Sequence, residues 1–162
     1  METKFTETQR FTQWWLWVIL IGVLLIPIYG IYKQMFLGEP FGDNPTSNIG
    51  LIVFFVTILG LVIGFRLIKL HTTVDAKGIS FDFLPFSSKE ILWSEVLTAE
   101  VIDYGFVGGY GVRLFTNYGT VYNIKGRIGL HVVLKSGDEF CLGTQKPDEL
   151  KMLLNKLTIL EV

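Results

Sequence analysis

The run WWLWVILIGVLLIPIYGIY, residues 14–32, contains no charged side chain. At about 1.5 Å per residue, a helix of this length reaches roughly 28 Å, close to the hydrocarbon thickness of a bilayer. Tryptophans stand at one end and tyrosines at the other, and such amphipathic rings favour the headgroup level. Pro27 lies inside the run, but a helix in lipid tolerates a proline. The sequence therefore predicts a transmembrane helix over about residues 12–32.

A second apolar run, IGLIVFFVTILGLVIGF at residues 49–65, predicts a second transmembrane helix. Arg66 and Lys69 follow it, and long basic side chains reach the interface while the helix end stays buried, so we expect this helix over about 49–69. We exclude a cleaved signal peptide, because the first run is too long for one and no small-residue cleavage site follows it.

Gly60 and Gly64 form a G-x-x-x-G pair in the second helix, and such a pair lets two helix backbones approach closely. The pair is either a helix-packing contact between copies of the chain or a consequence of packing against the first helix. Because the motif is common in membrane helices, we favour packing within one chain, or composition alone.

The distribution of basic residues predicts the orientation of the two helices. A connecting loop of residues 33–48 carries one basic residue, whereas four flank the outer ends of the runs: Lys33 against Lys4, Arg10, Arg66 and Lys69. Basic residues concentrate on the cytoplasmic side of membrane proteins. We therefore expect a multi-pass protein of the cell (inner) membrane, with the loop outside and both termini cytoplasmic.

The composition of the chain agrees with membrane segments and excludes some functions. Of the 162 residues, 50% are hydrophobic and 18% are charged, whereas soluble domains have about 25% charged residues. The net charge of -1 provides no field that would attract nucleic acid, so no nucleic-acid partner is expected. Neither helix has a charged residue near its middle, which argues against a transport path within one chain.

From Leu70 the pattern changes to alternating apolar and polar residues, which is typical of half-buried strands. The clearest case is the alternation of Ile79, Phe81 and Phe83 with polar residues. We predict about seven antiparallel strands, at residues 71–75, 79–83, 97–104, 112–116, 120–125, 128–135 and 139–143.

One amphipathic helix is predicted at residues 147–158. Pro147 suits a first helical turn, the acidic residues after it suit the helix dipole, and leucines recur at helical spacing. The predicted organisation is thus an N-terminal segment of residues 1–69 with two transmembrane helices, then a cytosolic β domain of residues 70–162.

Four short motifs follow one another between roughly Leu70 and Leu157. They are Trp93-Ser94-Glu95-Val96, Gly108-Gly109-Tyr110-Gly111-Val112-Arg113, residues 126–134, and the run from Gly143 to Leu150. In this order and spacing the motifs resemble those of the bacterial PH-like (pleckstrin-homology-like) domains, which are often attached to one or two membrane helices. The resemblance implies a mainly β fold closed by a C-terminal helix, held at the membrane, but no mechanism.

The sequence offers no catalytic constellation. Cys141 is the only cysteine, and we expect it to be a small core residue. His131 lies on the strand that we expect beside it, but a catalytic pair needs a cleft and an orienting third group. His71 and His131 are too far apart in sequence to indicate a metal site, and no phosphate-binding motif is present. We therefore expect no enzyme activity, no cofactor and no metal.

Two groups of residues are candidates for binding. Aromatic residues in a glycine-rich loop are hard to bury, so Phe106, Val107 and Tyr110 are candidates for contact with a protein partner. A small basic group could contact a lipid or another anion, although solvated turn charges explain it as well: Arg113, Lys125 and Arg127. From Arg66 onward the chain has 11 basic and 11 acidic residues, so the domain as a whole is neutral.

The function that these observations favour is a membrane-anchored PH-like binding or scaffold module without catalytic activity. Its partners would be the lipid bilayer and either a protein still to be identified or a second copy of the chain. The alternatives are a module that binds anionic lipid or a small molecule at the membrane surface, and a structural subunit of a membrane complex.

Overall fold

The computed structural model describes residues 4–160, and the side chains of residues 4–157. The chain divides into two compact units: a helical unit, Thr12–Leu67, and a β unit made of the residues up to Phe11 together with Ile68–Val162. The helical unit is therefore an insertion in the β unit. Residues 1–3 and 161–162, which the predicted domains 1–69 and 70–162 include, lie outside the described residues.

The helical unit consists of two long apolar helices. Helix α1 comprises Trp14–Ile31 and continues as a π-helical turn, Tyr32–Phe36; helix α2 comprises Asn48–Leu67. Both are long and apolar enough to cross a membrane, and only 11% and 6% of their most apolar windows are buried. Two such helices near the N-terminus were predicted. The first extends beyond residue 32, which shortens the predicted loop of residues 33–48.

The second helix ends earlier than the predicted range of 49–69. It stops at Leu67, and Lys69 already begins a strand in which Leu70 is buried and Lys69 is not. The physical reason is pairing: Lys69 and Leu70 lie opposite Arg10 and Gln9 of an N-terminal strand. Backbone groups that would otherwise continue the helix bond to that strand instead.

The connection between the helices folds onto the helix ends. The Gln34 side-chain amide donates to the Thr46 carbonyl and to Asn48 Oδ1, at 2.8 Å each, and its oxygen accepts from the Phe41 N–H. Phe41 lies over Gly30, where an added Cβ would come within 2.8 Å of its ring. A side chain at position 30 would therefore displace the connection.

The G-x-x-x-G pair borders open space in the described part of the chain. An added Cβ at Gly60 or Gly64 would meet no atom of the described chain within 4 Å. At these two positions α2 makes no close approach to α1, so composition alone and contact between copies of the chain stay as the two interpretations. The helices instead approach at Gly30, because Leu51 of α2 and Phe41 of the connection occupy the space above that glycine.

The β unit contains two sheets. Sheet 1 is antiparallel throughout, with its strands in chain order: β1 (Phe5–Arg10), β2 (Lys69–Val74), β3 (Gly78–Leu84) and β4 (Ser87–Leu92). Since β1 precedes α1 and β2 follows α2, the two helices form the connection between adjacent strands of this sheet.

The sequence analysis did not predict β1 and β4. In β1 the inward positions are Phe5, Glu7 and Gln9, so two of the three are polar and the apolar alternation is hidden. Strand β4 lies at the sheet edge and buries only Ile91, so its sequence lacks a period of two. Both strands form because β2 and β3 offer unpaired backbone groups.

Sheet 2 has the strand order β5-β8-β9-β7-β6. The prediction of about seven antiparallel strands is wrong in number and in one pairing: nine strands are described, and β7 and β9 run parallel. The parallel pair arises because the β8–β9 hairpin inserts between β5 and β7. The strands are β5 (Val96–Asp103), β6 (Gly111–Thr116), β7 (Gly119–Asn123), β8 (Ile128–Leu134) and β9 (Glu139–Gly143).

The core of the β unit lies between the sheets. The Phe81 ring of sheet 1 contacts Tyr122 and Phe140 of sheet 2, with ring centroids 4.8 and 5.5 Å apart. Helix α3, Pro147–Leu160, buries Leu150 and Leu153 and forms where residues 147–158 were predicted to be helical. The predicted arrangement of two apolar helices followed by a mainly β domain with a C-terminal helix is thus confirmed at this level.

Candidate partner-binding site

The outward face of sheet 2 is covered by residues 104–110, which we call the glycine-rich loop. Tyr104 begins it, and its buried ring lies over Gly129, where an added Cβ would come within 2.9 Å of the ring and 2.8 Å of Cys141 Sγ. Only a glycine leaves room for the ring to reach the sheet. Val121 and Cys141 complete a small apolar cluster beneath the loop.

Asn123 holds the far end of the loop. Its buried side-chain amide donates to the Tyr104 hydroxyl at 3.3 Å and to the Gly109 carbonyl at 3.4 Å, and its oxygen accepts from the Gly111 N–H at 3.0 Å. The Tyr104 hydroxyl donates onward to the Gly126 carbonyl at 3.2 Å. Burial raises the pKa of Tyr104 to about 12, so the phenol keeps the proton that it donates. The loop is therefore fixed at both ends.

The three candidate contact residues of this loop do not share one role. Val107 packs against the cluster beneath the loop and anchors it. Phe106 points outward and is 88% exposed, and Tyr110 is also exposed. These two side chains line a shallow concavity of about 320 Å³ together with Asn123 and Arg127. The loop thus presents two aromatic rings on a backbone that the sheet holds in place.

Strand β6 follows the loop and presents further apolar surface. Its register with β7 is interrupted between Arg113 and Thr116, which leaves Leu114 and Phe115 in a bulge. Phe115 is 99% exposed and has a φ of 58°, a left-handed conformation that is rare for a bulky residue. Since β6 is an edge strand, this exposed ring lies at the border of sheet 2.

The three basic candidates form no free cationic cluster. The Arg113 guanidinium donates to the Tyr110 carbonyl at 2.6 Å and lies 2.7 Å from where a Cβ on Gly109 would be, so it supports the loop. Arg127 forms an ion pair with Asp103, with Nε and Oδ2 3.0 Å apart. Lys125 is exposed, but it is not among the residues that line the concavity.

Cys141 is buried in the cluster beneath the glycine-rich loop and lies directly opposite His131 in the β8–β9 hairpin. Burial raises the pKa of the Cys141 thiol to about 12, so the thiolate that a nucleophile requires is not formed near neutral pH. His131 is instead bonded to Glu139, with Nε2 and Oε2 3.0 Å apart, and contacts the Tyr118 ring edge-on. The contacts of His131 are therefore those of a polar side chain that packs on the sheet.

Among residues 4–160, no group of three or more His, Cys, Asp or Glu side chains is close enough to hold a metal ion. His71, the second histidine, bonds to the Thr8 hydroxyl at 2.7 Å on the outward face of sheet 1. The His71 ring on β2 is therefore bonded to the neighbouring strand β1.

Sequence reasoning missed Asn123 and the bulge at Leu114–Phe115. A buried asparagine at the end of a strand gives no periodic signal, because its role depends on backbone groups of a distant loop. The bulge has a weak signal: Leu114 and Phe115 are adjacent apolar residues, which breaks the alternation that β6 would otherwise show.

Comparison with protein-family models gave no match to the chain, and comparison with curated proteins gave none either. Fold and site together define a class: a two-sheet β unit with a C-terminal helix, in which a hairpin of two apolar helices connects the first two strands. On this unit a fixed glycine-rich loop presents exposed aromatic side chains.

Proposed function

We propose that this protein is a membrane-anchored binding module whose glycine-rich loop and β6 bulge contact a protein partner. The observation that carries the proposal is the contrast within this surface. Phe106 and Phe115 are 88% and 99% exposed, while Val107, Tyr104 and Asn123 hold the backbone of the loop that carries Phe106. Exposed aromatic side chains on a fixed backbone are the anchors that protein interfaces use, since little conformational entropy is lost on binding.

The anchor of this module is the helical hairpin. Helices this apolar occur in soluble proteins as buried core helices, but the windows of α1 and α2 are only 11% and 6% buried. Such a surface is stable when hydrocarbon surrounds it. We infer a multi-pass protein of the cell membrane, and the four basic residues that flank the hairpin favour the cytoplasmic side for the β unit and both termini.

The PH-like assignment belongs to the same proposal. Two sheets packed on each other and a C-terminal helix that buries leucines support it. The parallel β7–β9 pair departs from the expected antiparallel arrangement, so the resemblance supports the general architecture more than the strand topology.

A photocrosslinking phenylalanine analogue, placed in the full chain at position 106 or 115, tests the contact in the native membrane. We expect a discrete crosslinked product from each position. The matched control is position 97 on β5, the opposite edge of sheet 2, because Leu97 is also an exposed apolar residue. We expect no product from this position.

The mass of the product separates a different protein from a second copy of the chain. The double variant Phe106→Ser, Phe115→Ser should then lose the partner on purification in mild detergent, while Leu97→Ser retains it. Equal crosslinking from positions 97, 106 and 115 would contradict the proposal, since it would show that the loop contacts nothing in particular.

A second candidate function is a structural subunit that self-associates through α2. The observation that favours it is the open space above Gly60 and Gly64, where two helix backbones from different chains can approach. Gly60→Leu with Gly64→Leu should convert an oligomer to a monomer in detergent. Gly22→Leu is the matched control, because Gly22 of α1 is surrounded by the same open space.

The alternative of an anionic-lipid or small-molecule site at the loop has less support. Asp103 neutralises Arg127, and Arg113 is bonded to the loop backbone. The concavity beside them therefore carries little net positive charge, and a phosphate group would have to displace the Asp103 carboxylate.

A further inference from the structure

The chain passes between the β unit and the helices at one end of sheet 1. Arg10, the last residue of β1, lies directly opposite Lys69, the first residue of β2. Lys69 follows the end of α2 at Leu67 by two residues. A fully extended chain spans at most about 3.6 Å per residue, so Lys69 lies within roughly 7 Å of the end of the apolar helix. The headgroup layer of a bilayer has about that depth.

The register of sheet 1 brings the β3–β4 turn to the same end. Leu84, the last residue of β3, lies opposite Lys69. The turn continues into Phe86, whose side chain is 65% exposed although apolar. Phe86 is held in place, because its N–H donates to the Phe83 carbonyl at 2.8 Å and its ring packs on the Phe83 ring with centroids 6.0 Å apart. Arg10, Lys69 and Leu84 lie on the outward side of sheet 1 and Phe86 lies in the turn at the same end of the sheet; we call these four residues the turn-end face.

The charges of the turn-end face are unbalanced. Arg10 and Lys69 are like charges directly opposite one another in an antiparallel pair, an arrangement that is unfavourable unless an anion lies near. Neither of them forms an ion pair with any described residue. Asp82, two residues before Leu84 on β3, accepts a hydrogen bond from Ser88 and forms no ion pair with either basic residue.

We propose that the turn-end face binds the headgroup layer of an anionic bilayer, with Phe86 inserted at the interface and Arg10 and Lys69 beside lipid phosphates. Aromatic rings and basic side chains are the residues that favour this layer. The proposal rests on the proposed membrane anchor and extends it: the β unit would have a second membrane contact besides its covalent connection to the helices. Such a contact would restrict which surfaces of the β unit remain free for a partner.

Spin labels on the full chain, reconstituted in vesicles of phosphatidylcholine and phosphatidylglycerol, test this contact. A Cys141→Ala background leaves one cysteine for each label. Phe86→Cys reports the turn-end face, and Ala76→Cys is the matched control, because it lies in the exposed β2–β3 turn at the opposite end of sheet 1. Ile21→Cys, on the exposed surface of α1, reports the anchor itself. Collisions with oxygen and with a water-soluble nickel chelate measure the depth of each label.

We expect the label at position 86 to lose most of its collisions with the nickel chelate and the label at position 76 to keep them. If position 21 is deep in hydrocarbon while positions 86 and 76 are equally accessible to the chelate, the headgroup contact is wrong and the anchor stands. If position 21 is itself accessible to the chelate, the anchor and the contact both fail.

A separate double variant tests the two basic residues of the contact. Arg10→Gln with Lys69→Gln should return part of the chelate collisions at position 86 in anionic vesicles and change little in vesicles of phosphatidylcholine alone. If the collisions of the label at position 86 with the chelate stay unchanged in anionic vesicles, the role proposed for the two basic residues is wrong.

Discussion

Isoleucine occupies opposite environments in the two units of this protein. Ile21 of α1 is 51% exposed, whereas Ile79 of β3 is 1% exposed. Valine shows the same contrast, since Val18 of α1 is 60% exposed and Val74 of β2 is fully buried. The β unit thus buries its apolar side chains between two sheets, while the helical unit leaves most of its own exposed, which is the observation behind the proposed membrane anchor. Substitutions in the two units test this contrast.

Removal of the central ring of the β core should cause the largest loss in the free energy of unfolding. Phe81→Ala deletes a side chain that contacts Tyr122 and Phe140, and we expect a loss of about 3–5 kcal/mol in the free energy of unfolding of the β unit. The matched variant in the helices is Ile21→Ala, for which we expect a change below about 0.5 kcal/mol. Denaturant titration of the detergent-solubilised protein measures both.

If Phe81→Ala does not fold, the milder variant Phe81→Leu replaces it in the titration. Comparable losses from Ile21→Ala and Phe81→Leu would contradict the contrast, because Ile21 would then have to be part of a core.

Loss of the buried carboxylate in β1 should cause the next largest loss in the free energy of unfolding. Glu7 accepts hydrogen bonds from the Thr144 hydroxyl at 2.6 Å and the Gln145 N–H at 2.8 Å, so β1 is tied to the chain just before α3. Glu7→Ala leaves these donors without an acceptor, and we expect a loss of about 2–3 kcal/mol in the same titration.

Thr6, the neighbouring residue on the exposed face of β1, supplies the control. Thr6→Ala should change the free energy of unfolding by less than about 0.5 kcal/mol. If Glu7→Ala is as mild as Thr6→Ala, β1 is not an integral strand of the β unit.

Alkaline pH should destabilise the β unit through its buried thiol. The pKa of Cys141 is raised from 9.0 to about 12 by burial, so the unfolded chain releases this proton at a lower pH than the folded chain. The stabilisation is therefore complete below about pH 9 and is lost as the pH rises toward 12, by up to about 1.4 kcal/mol per pH unit. Denaturation midpoints measured between these pH values should fall.

The variant Cys141→Ala isolates the contribution of the thiol. Its denaturation midpoint should depend less steeply on pH in this window than that of the wild type, even if the variant is less stable throughout. Parallel curves for the two proteins would show that the thiol does not titrate with unfolding. The buried Tyr104 phenol, with a pKa of about 12, should retain a smaller slope above pH 10.

The smallest effect on stability is expected at the exposed aromatic side chains. Phe106→Ser and Phe115→Ser should each leave the free energy of unfolding within about 0.5 kcal/mol of the wild type, because neither ring is buried. Thermal unfolding of the purified variants checks this. A loss of several kcal/mol at either position would mean that the ring is part of the fold, and a binding role would then lose its main support.

The sequence was sufficient to predict the two helices and most of the strands, because each has a periodic or continuous apolar signal. The range 49–69 was wrong at its end for a physical reason: Lys69 and Leu70 look like a helix end until β1 is available as a partner. Strand β1 itself was hidden because Glu7 and Gln9 face inward, and their partners lie more than 130 residues away.

The candidate site was predictable only in outline. Composition indicated that aromatic residues of the glycine-rich loop are hard to bury, and Phe106 is indeed exposed. The inward direction of Val107 and the role of Asn123 depend on how the loop crosses sheet 2, and this follows from long-range pairing that no local pattern encodes. The left-handed conformation of Phe115 is likewise set by the bulge opposite β7.

The proposed anchor places the helical unit in a bilayer, and flotation after an alkaline carbonate wash is its sharpest test. Membranes that contain the full chain are washed, placed under a density gradient and centrifuged, so that vesicles rise and aggregates stay below. Because such an anchor would hold whether or not the β unit is folded, we expect the chain to rise with the lipid and to be released only by detergent. Recovery of the chain in the wash or at the bottom of the gradient would mean that the helical unit is not in the bilayer.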